Sequence, residues 1–249
     1  MHEGKKDYRT RLYDVYVSTH FRHIRDISLT ALEKQARTFR HYYGPLLPRD
    51  KNARILDVGC GYGAFLYFLK TEGYRNIEGV DISQEQIDTA KKLGLDNVVC
   101  EDALSFLQAR PETYDCIVAI DFLEHFSKEE VLDILHAIFQ ALKPGGRLII
   151  QTPNADGPFA GRYRYCDFTH EFALTATSAR QILEAVGFRK VQIFAVEPFV
   201  HSVPSLFRVL IWKVIKLLLC LYLAAETGVI RGHILTQNLI AVAYKIEEK

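Results

Sequence analysis

Ile55-Leu-Asp-Val-Gly-Cys-Gly-Tyr-Gly-Ala-Phe-Leu66 decides the fold. A short apolar run carries an acid near its end, passes three glycines at alternate positions and opens into a second apolar run. This pattern predicts a β-strand, a tight turn and a helix N-terminus, the arrangement that brings backbone close to a nucleotide-like ligand. Side chains at Gly59, Gly61 or Gly63 would block that approach or the turn itself. The spacing is Gly-x-Gly-x-Gly rather than the Gly-x-Gly-x-x-Gly of dinucleotide sites. Asp57, two residues before the first glycine, is unhelpful to a pyrophosphate and useful to a cation. It points to a cofactor carrying an amino group and a sulfonium, and away from a dinucleotide.

Outward from this stretch, strand and helix patterns alternate. Strands are predicted at 54–58, 76–80, 97–100, 114–120, 147–151, 191–196 and 234–245. Helices are predicted at 64–72, 84–93, 103–109, 128–142 and 177–186, most of them closed by glycine. The run 114–120 is apolar almost throughout, as a strand buried on both faces should be. Acids recur where successive strands end: Asp57, Asp81, Asp102 and Asp121. Open α/β sheets bind ligands beyond those ends, and Asp81 stands about 20 residues past the glycine turn, the place of a ribose-binding carboxylate.

The 249 residues, 49% hydrophobic and 24% charged, suffice for one substantial core. A net charge of +1 and the lack of a basic, aromatic-lined stripe argue against a nucleic-acid partner. The five cysteines are scattered without a CxxC pair, which suggests buried thiols in a reducing compartment. Residues 1–25 are polar and charged, so no secretory leader is expected and a cytoplasmic location is.

From residue 54 to 190 the chain resembles the class I S-adenosylmethionine-dependent methyltransferases. The resemblance is carried by the glycine loop 55–63 and by Gly79-Val-Asp-Ile-Ser83. Glu101-Asp-Ala103, Tyr114-Asp-Cys-Ile-Val-Ala-Ile120 and Leu142-Lys-Pro-Gly-Gly-Arg-Leu-Ile-Ile150 add to it. It implies a Rossmann-like, seven-stranded, doubly wound α/β sheet whose last strand is antiparallel. It also implies S-adenosylmethionine held at the methionine end by Asp57 and the loop residues Gly59, Cys60, Gly61 and Gly63, with Asp121 as a further cofactor contact. Asp81 would take the ribose, Ile82 and Ala103 the adenine faces, and Asp102 the adenine amino group.

Methyl transfer from a sulfonium needs mainly alignment, but an oxygen acceptor must also lose a proton. Asp121-Phe-Leu-Glu124-His125 follows the fourth strand. If helical, it sets two carboxylates and an imidazole on one face, a set suited to a hard cation. With His170 it resembles two metal-assisted O-methyltransferase groups, of ubiquinone-type pathways and of small-RNA 2′-O-methylation. The candidate catalytic residues are therefore His125, His170 and Glu124. The candidate ligands for Mg²⁺ or another divalent cation are Asp121, Glu124, His125 and His170. A metal-free acid/base pair and a purely structural role remain open alternatives.

Three additions flank this core: an N-terminal helical lid at 1–50, and insertions at 152–176 and 197–233 within a domain spanning 51–249. Both insertions leave carboxyl ends of strands, on the cofactor side. Tyr13 and Tyr16 in the lid, and Tyr163 and Arg164 in the first insertion, are candidate acceptor contacts. Residues 206–225 are almost wholly apolar, and Arg208, Lys213 and Lys216 fall within an arc of roughly 140° at 100° per residue. Two lysines near its centre, at roughly 2.5–3.5 kcal/mol each, disfavour a membrane span. A helix docked on the core or between two copies, or one lying at the inner face of a membrane, is expected instead. This insertion and the block 167–197 resemble methyltransferases of bacterial surface-polysaccharide synthesis. The expected acceptor is a hydroxyl or phosphate of a sugar, glycan or lipid-linked glycan precursor. A quinone- or polyketide-like phenol acceptor, and a non-catalytic cofactor-binding subunit, are the alternatives; the chain is expected to be a monomer or a homodimer.

Overall fold

A computed structural model describes residues 8–13, 15 and 28–246, without the side chains of Thr10 and Tyr13. Its centre is a seven-stranded sheet: β1 (Arg54–Val58), β2 (Asn76–Asp81), β3 (Val98–Cys100), β4 (Tyr114–Ile120), β5 (Leu142–Pro153), β6 (Arg189–Ala195) and β7 (Asn238–Tyr244). The strand order is β3-β2-β1-β4-β5-β7-β6. β1 to β5 run parallel. β7 inserts antiparallel between β5 and β6, with Arg147 opposite Tyr244 and Pro153 opposite Asn238. The chain therefore reverses direction across the sheet between β1 and β4, and the crevice above that point is where such sheets take ligands.

The apolar residues predicted for the inner strands are the core. Ile55, Leu56, Val58, Cys116, Ile117 and Val118 are fully buried. Helices Lys128–Ala141 and Ala176–Val186 cover one face of the sheet. On the other face Ala64–Thr71 packs with the N-terminal helix Leu29–Tyr42. Phe39 holds that pair together, its ring 5.2 Å from Phe65 and 5.9 Å from Phe68.

Element boundaries moved where tertiary pairing overrides local signals. β5 begins at Leu142, before Pro144-Gly145-Gly146, because Leu142 pairs with Tyr114 and the extra residues form an irregularity ahead of Arg147. β7 begins at Asn238 rather than 234, since Asn154 Nδ2 binds the carbonyls of Ile234 (2.7 Å) and Thr236 (2.8 Å). The segment after β4 is a single 3₁₀ turn, Leu123–His125, with Asp121 in the left-handed region at φ 51°. The expected shared helical face of Asp121, Glu124 and His125 is therefore absent: Glu124 is fully buried and the other two are half-exposed.

The apolar insertion is the helix Val203–Thr227, opened by a Ser202–Ser205 capping box and closed at Gly228 (φ 75°). It is not docked along its length. Ser205 is its one buried residue, and ten large apolar side chains from Leu206 to Tyr222 are more than 40% exposed. Among the described residues no helix is long and apolar enough to cross a membrane.

Candidate active site

The glycine loop closes on the ends of β1 and β2. Its amides turn inward: Gly59 N and Cys60 N donate to Val80 O (2.8 and 3.1 Å), Gly63 N to Cys60 O (2.9 Å), and Gly61 N to Asp81 Oδ2 (2.9 Å). Amides spent in this way do not form an anion cradle, which agrees with the reading from Asp57 against a pyrophosphate. All three glycines have positive φ. A Cβ on Gly59 would lie 2.4 Å from the Phe122 ring, and one on Gly63 2.3 Å from Leu95. Gly63 therefore serves turn and packing; it does not line the cavity.

A cavity of about 680 Å³ opens above this loop. Asp57, Gly59, Cys60, Gly61, Asp81, Ile82, Asp102, Ala103 and Asp121 line one part of it; Glu124, His125, Tyr163, Asp167 and His170 line the other. Arg9 from the helix Tyr8–Tyr13 also reaches it. That guanidinium pairs with both Glu130 oxygens (2.9 Å each) and donates to His125 O (3.3 Å). Tyr8 Oη donates to Glu171, and the Tyr8 ring meets Phe168 edge-on.

Burial and the neighbouring Asp81 hold the Asp57 carboxyl well above the usual carboxylate range. Burial likewise raises Asp81, against the pull of the amides of Ser83 and Gly61, which bond to its two oxygens. Two desolvated carboxyls aimed at one cavity favour a cationic or hydroxyl-rich occupant. The buried Gln86 Oε1 beside them has no hydrogen-bond partner among the described residues. These acceptor oxygens fit the amino-acid and ribose parts of S-adenosylmethionine. Asp102 lines the cavity and also caps the helix Ala103–Gln108, its Oδ2 taking Ser105 N (2.9 Å).

A raised Asp57 sets a sign that can be tested. In the free protein its carboxyl favours folding while protonated, and that contribution is lost as pH rises from the unfolded carboxylate range through the raised folded value. A bound ammonium favours the ionised form, so cofactor binding should expel a proton and tighten with rising pH. Calorimetry in two buffers of different ionisation enthalpy should show proton release that Asp57→Asn abolishes. Equal heats in both buffers would contradict it.

Asp121 belongs to a partly buried chain of hydrogen bonds. Tyr43 Oη donates to Gln151 Oε1 (2.7 Å), and Gln151 Nε2 donates to Asp121 Oδ1 (2.9 Å). Glu124 Oε2 accepts from Thr152 Oγ1 (3.2 Å), its Oε1 has no partner among the described residues, and burial with Asp121 pushes its carboxyl well up. The His125 and His170 rings meet edge-on with centroids 4.8 Å apart. His125 Nδ1 lies 2.7 Å from Thr169 Oγ1, and His170 Nδ1 lies 3.0 Å from Tyr163 O.

The structure thus brings His125, His170 and Glu124 to one cavity wall but does not gather the anticipated metal ligands. Asp121 and Glu124 are engaged with Gln151 and Thr152. Among the described residues no three His, Cys, Asp or Glu side chains are placed to hold an ion. As placed, the described residues do not form a divalent-cation site. Arg164 points away from the expected acceptor contact, its guanidinium bound to the carbonyls of His170 and Glu171. Tyr16 and the side chain of Tyr13 lie outside the described residues. Sequence reasoning missed Tyr43, Gln151, Phe122 and Thr152. They occupy ordinary core positions in the linear pattern, and folding alone shows their partners.

Fold and site define a class I S-adenosylmethionine-dependent methyltransferase. The sequence profile of a methyltransferase-domain family matches residues 22–193, and the chain belongs to that family. A ubiquinone biosynthesis O-methyltransferase of Hydrogenovibrio crunogenus is 33% identical over 109 residues, 42% of this chain and 44% of that protein. A tRNA U34 carboxymethyltransferase of Pseudoalteromonas translucida is 29% identical over 153 residues, 57% of this chain and 47% of that protein. The chain spans less than half the length of these two curated relatives. The crystal structure of a SAM-dependent methyltransferase from Archaeoglobus fulgidus superposes with a TM-score of 0.66 at 26% identity, covering 96% of this chain and 100% of that one.

Proposed function

We propose that the protein O-methylates a hydroxyl of a lipid-linked glycan. The observation that carries this reading is the wall of the cavity opposite the cofactor loop, where two imidazoles stand beside Tyr163, a setting for a polar, hydrogen-bonding acceptor. When bound, S-adenosylmethionine supplies an activated methyl group on its sulfonium. Asp57 and the loop would hold its methionine part, Asp81 its ribose, and Ile82, Ala103 and Asp102 its adenine. His170 Nδ1 must donate to the Tyr163 carbonyl, which can only accept. In a neutral ring the basic lone pair is then on Nε2, and His170 lines the same cavity as His125. His125 takes the acceptor's proton as its oxygen gains the methyl group, and the resulting imidazolium passes the proton to solvent. His170 and Glu124 orient the hydroxyl.

Labelled methyl transfer onto purified acceptors tests this directly. Turnover with a lipid-linked oligosaccharide is expected, and turnover confined to phenolic quinone precursors would overturn the glycan assignment. The phenol is the second reading, favoured by the ubiquinone-pathway relatives. Turnover with either acceptor would reject a non-catalytic subunit.

The helix Val203–Thr227 supports delivery from a membrane surface. At 100° per residue its exposed apolar side chains from Leu206 to Tyr222 fill an arc of about 180°, bordered by Arg208 on one rim and Lys213 on the other. Lys216 lies on the opposite side, paired with Glu197. Cations at both rims of an apolar face suit anionic headgroups above acyl chains. Co-sedimentation with phosphatidylglycerol vesicles is expected to fall when Arg208 and Lys213 are both changed to Glu. Unchanged sedimentation would count against the membrane reading.

A further inference from the structure

The first insertion carries more than acceptor contacts. Thr169 is 1% exposed and Asp167 6% exposed. Thr169 Oγ1 and Thr169 N both donate to Asp167 Oδ1, at 2.7 and 2.8 Å. The same Thr169 Oγ1 lies 2.7 Å from His125 Nδ1. A threonine hydroxyl has one hydrogen, and an ionised carboxylate can only accept. With Asp167 as the carboxylate that accepts this hydrogen, Thr169 Oγ1 presents a lone pair to the imidazole, and Nδ1 is the nitrogen left to donate to it.

We propose that Asp167 and Thr169 are positioning residues that hold His125 as the Nδ1–H tautomer, with the basic lone pair on Nε2. This rests on the reading of His125 as the base, since an Nε2–H ring could not take the acceptor's proton there. The chain His125–Thr169–Asp167 does for this histidine what a directly bonded carboxylate does elsewhere: it selects the tautomer, fixes the ring plane and places a negative charge behind the imidazolium formed during transfer. Insertion and 3₁₀ turn are also tied through the backbone, Glu171 N donating to Glu124 O (2.7 Å). The sequence motif Asp167-x-Thr169 is therefore part of the site, although neither residue is a nucleophile, base or ligand.

The test is long-range ¹⁵N–¹H correlation on the full chain with ¹⁵N-labelled histidine, His125 being assigned by its loss in His125→Gln. The neutral His125 ring is expected as Nδ1–H in the unaltered protein and in Thr169→Ser. In Thr169→Val it should shift toward Nε2–H. An Nε2–H ring in the unaltered protein, or an unchanged Nδ1–H ring in Thr169→Val, would overturn the proposal. Bound cofactor measured by calorimetry should be equal in all variants, which separates the effect from misfolding. In turnover, Thr169→Val should lower kcat on the order of 10²-fold with the KM for S-adenosylmethionine unchanged, and Thr169→Ser should restore it. If His125→Gln left kcat intact while the tautomer still switched, the base assignment would fail and the tautomer control would stand.

Discussion

His125→Ala is expected to lower methyl-transfer turnover by about 10²–10⁴-fold, the range for removing a positioned general base, while S-adenosylmethionine still binds. The separation follows from the architecture. His125 ends the 3₁₀ turn after β4, and its ring contacts run to Thr169 and His170 in the first insertion. The cofactor loop is built on β1 and β2, and its contacts to Asp81 and Val80 do not involve the imidazole. Single-turnover assays with pre-bound cofactor would show slow chemistry and a normal dissociation constant. A His125→Ala enzyme with full turnover would remove this residue from the reaction and leave His170 as the base.

The second large effect concerns Asp81. Asp81→Ala should weaken S-adenosylmethionine binding on the order of 100-fold, through two losses. The ribose loses a carboxylate partner, and hydrogen bonds to charged groups contribute roughly 1.5–3 kcal/mol each, where about 1.4 kcal/mol is tenfold in affinity. The loop loses its fastening too, since the Asp81 oxygens hold Gly61 N at 2.9 Å and Ser83 N at 2.8 Å. Asp81→Asn should fall between the two, because an amide keeps one acceptor oxygen and turns the other position into a donor. Titration calorimetry distinguishes these cases, and unaltered affinity in Asp81→Ala would sink the assignment of the cofactor's ribose to this residue.

Most of the cofactor half is legible in the local sequence. A strand, a glycine turn and a helix are neighbours in sequence, so their signals are local, and the recurrence of Asp57, Asp81, Asp102 and Asp121 at strand ends followed from the strand pattern alone. The acceptor half was legible only in part. Glu124, His125 and His170 were recognised as chemistry-bearing, but a helical face was expected where the backbone makes one 3₁₀ turn and Asp121 adopts φ 51°. That left-handed residue places the Asp121 carboxylate against the Gln151 amide. Local spacing could not reveal it, because Tyr43 and Gln151, which complete the chain of hydrogen bonds, are 108 residues apart.

The long apolar helix divides in the same way. Its existence, its amphipathic character and its inability to span a bilayer follow from the order of residues 206–225. Whether its apolar side would be covered by the core depended on tertiary packing, which leaves that side open.

By itself, then, the sequence determined the alternating α/β sheet, the cofactor class and the cluster of residues able to do acid–base chemistry, because each rests on periodicity or on residues close along the chain. Tertiary structure alone decided which side chain meets Nδ1 of His125, which carboxylates are already engaged and which face of the helix is exposed. Those properties depend on hydrogen-bond partners and neighbours 28 to 108 residues away, and only the folded sheet brings such groups within bonding distance.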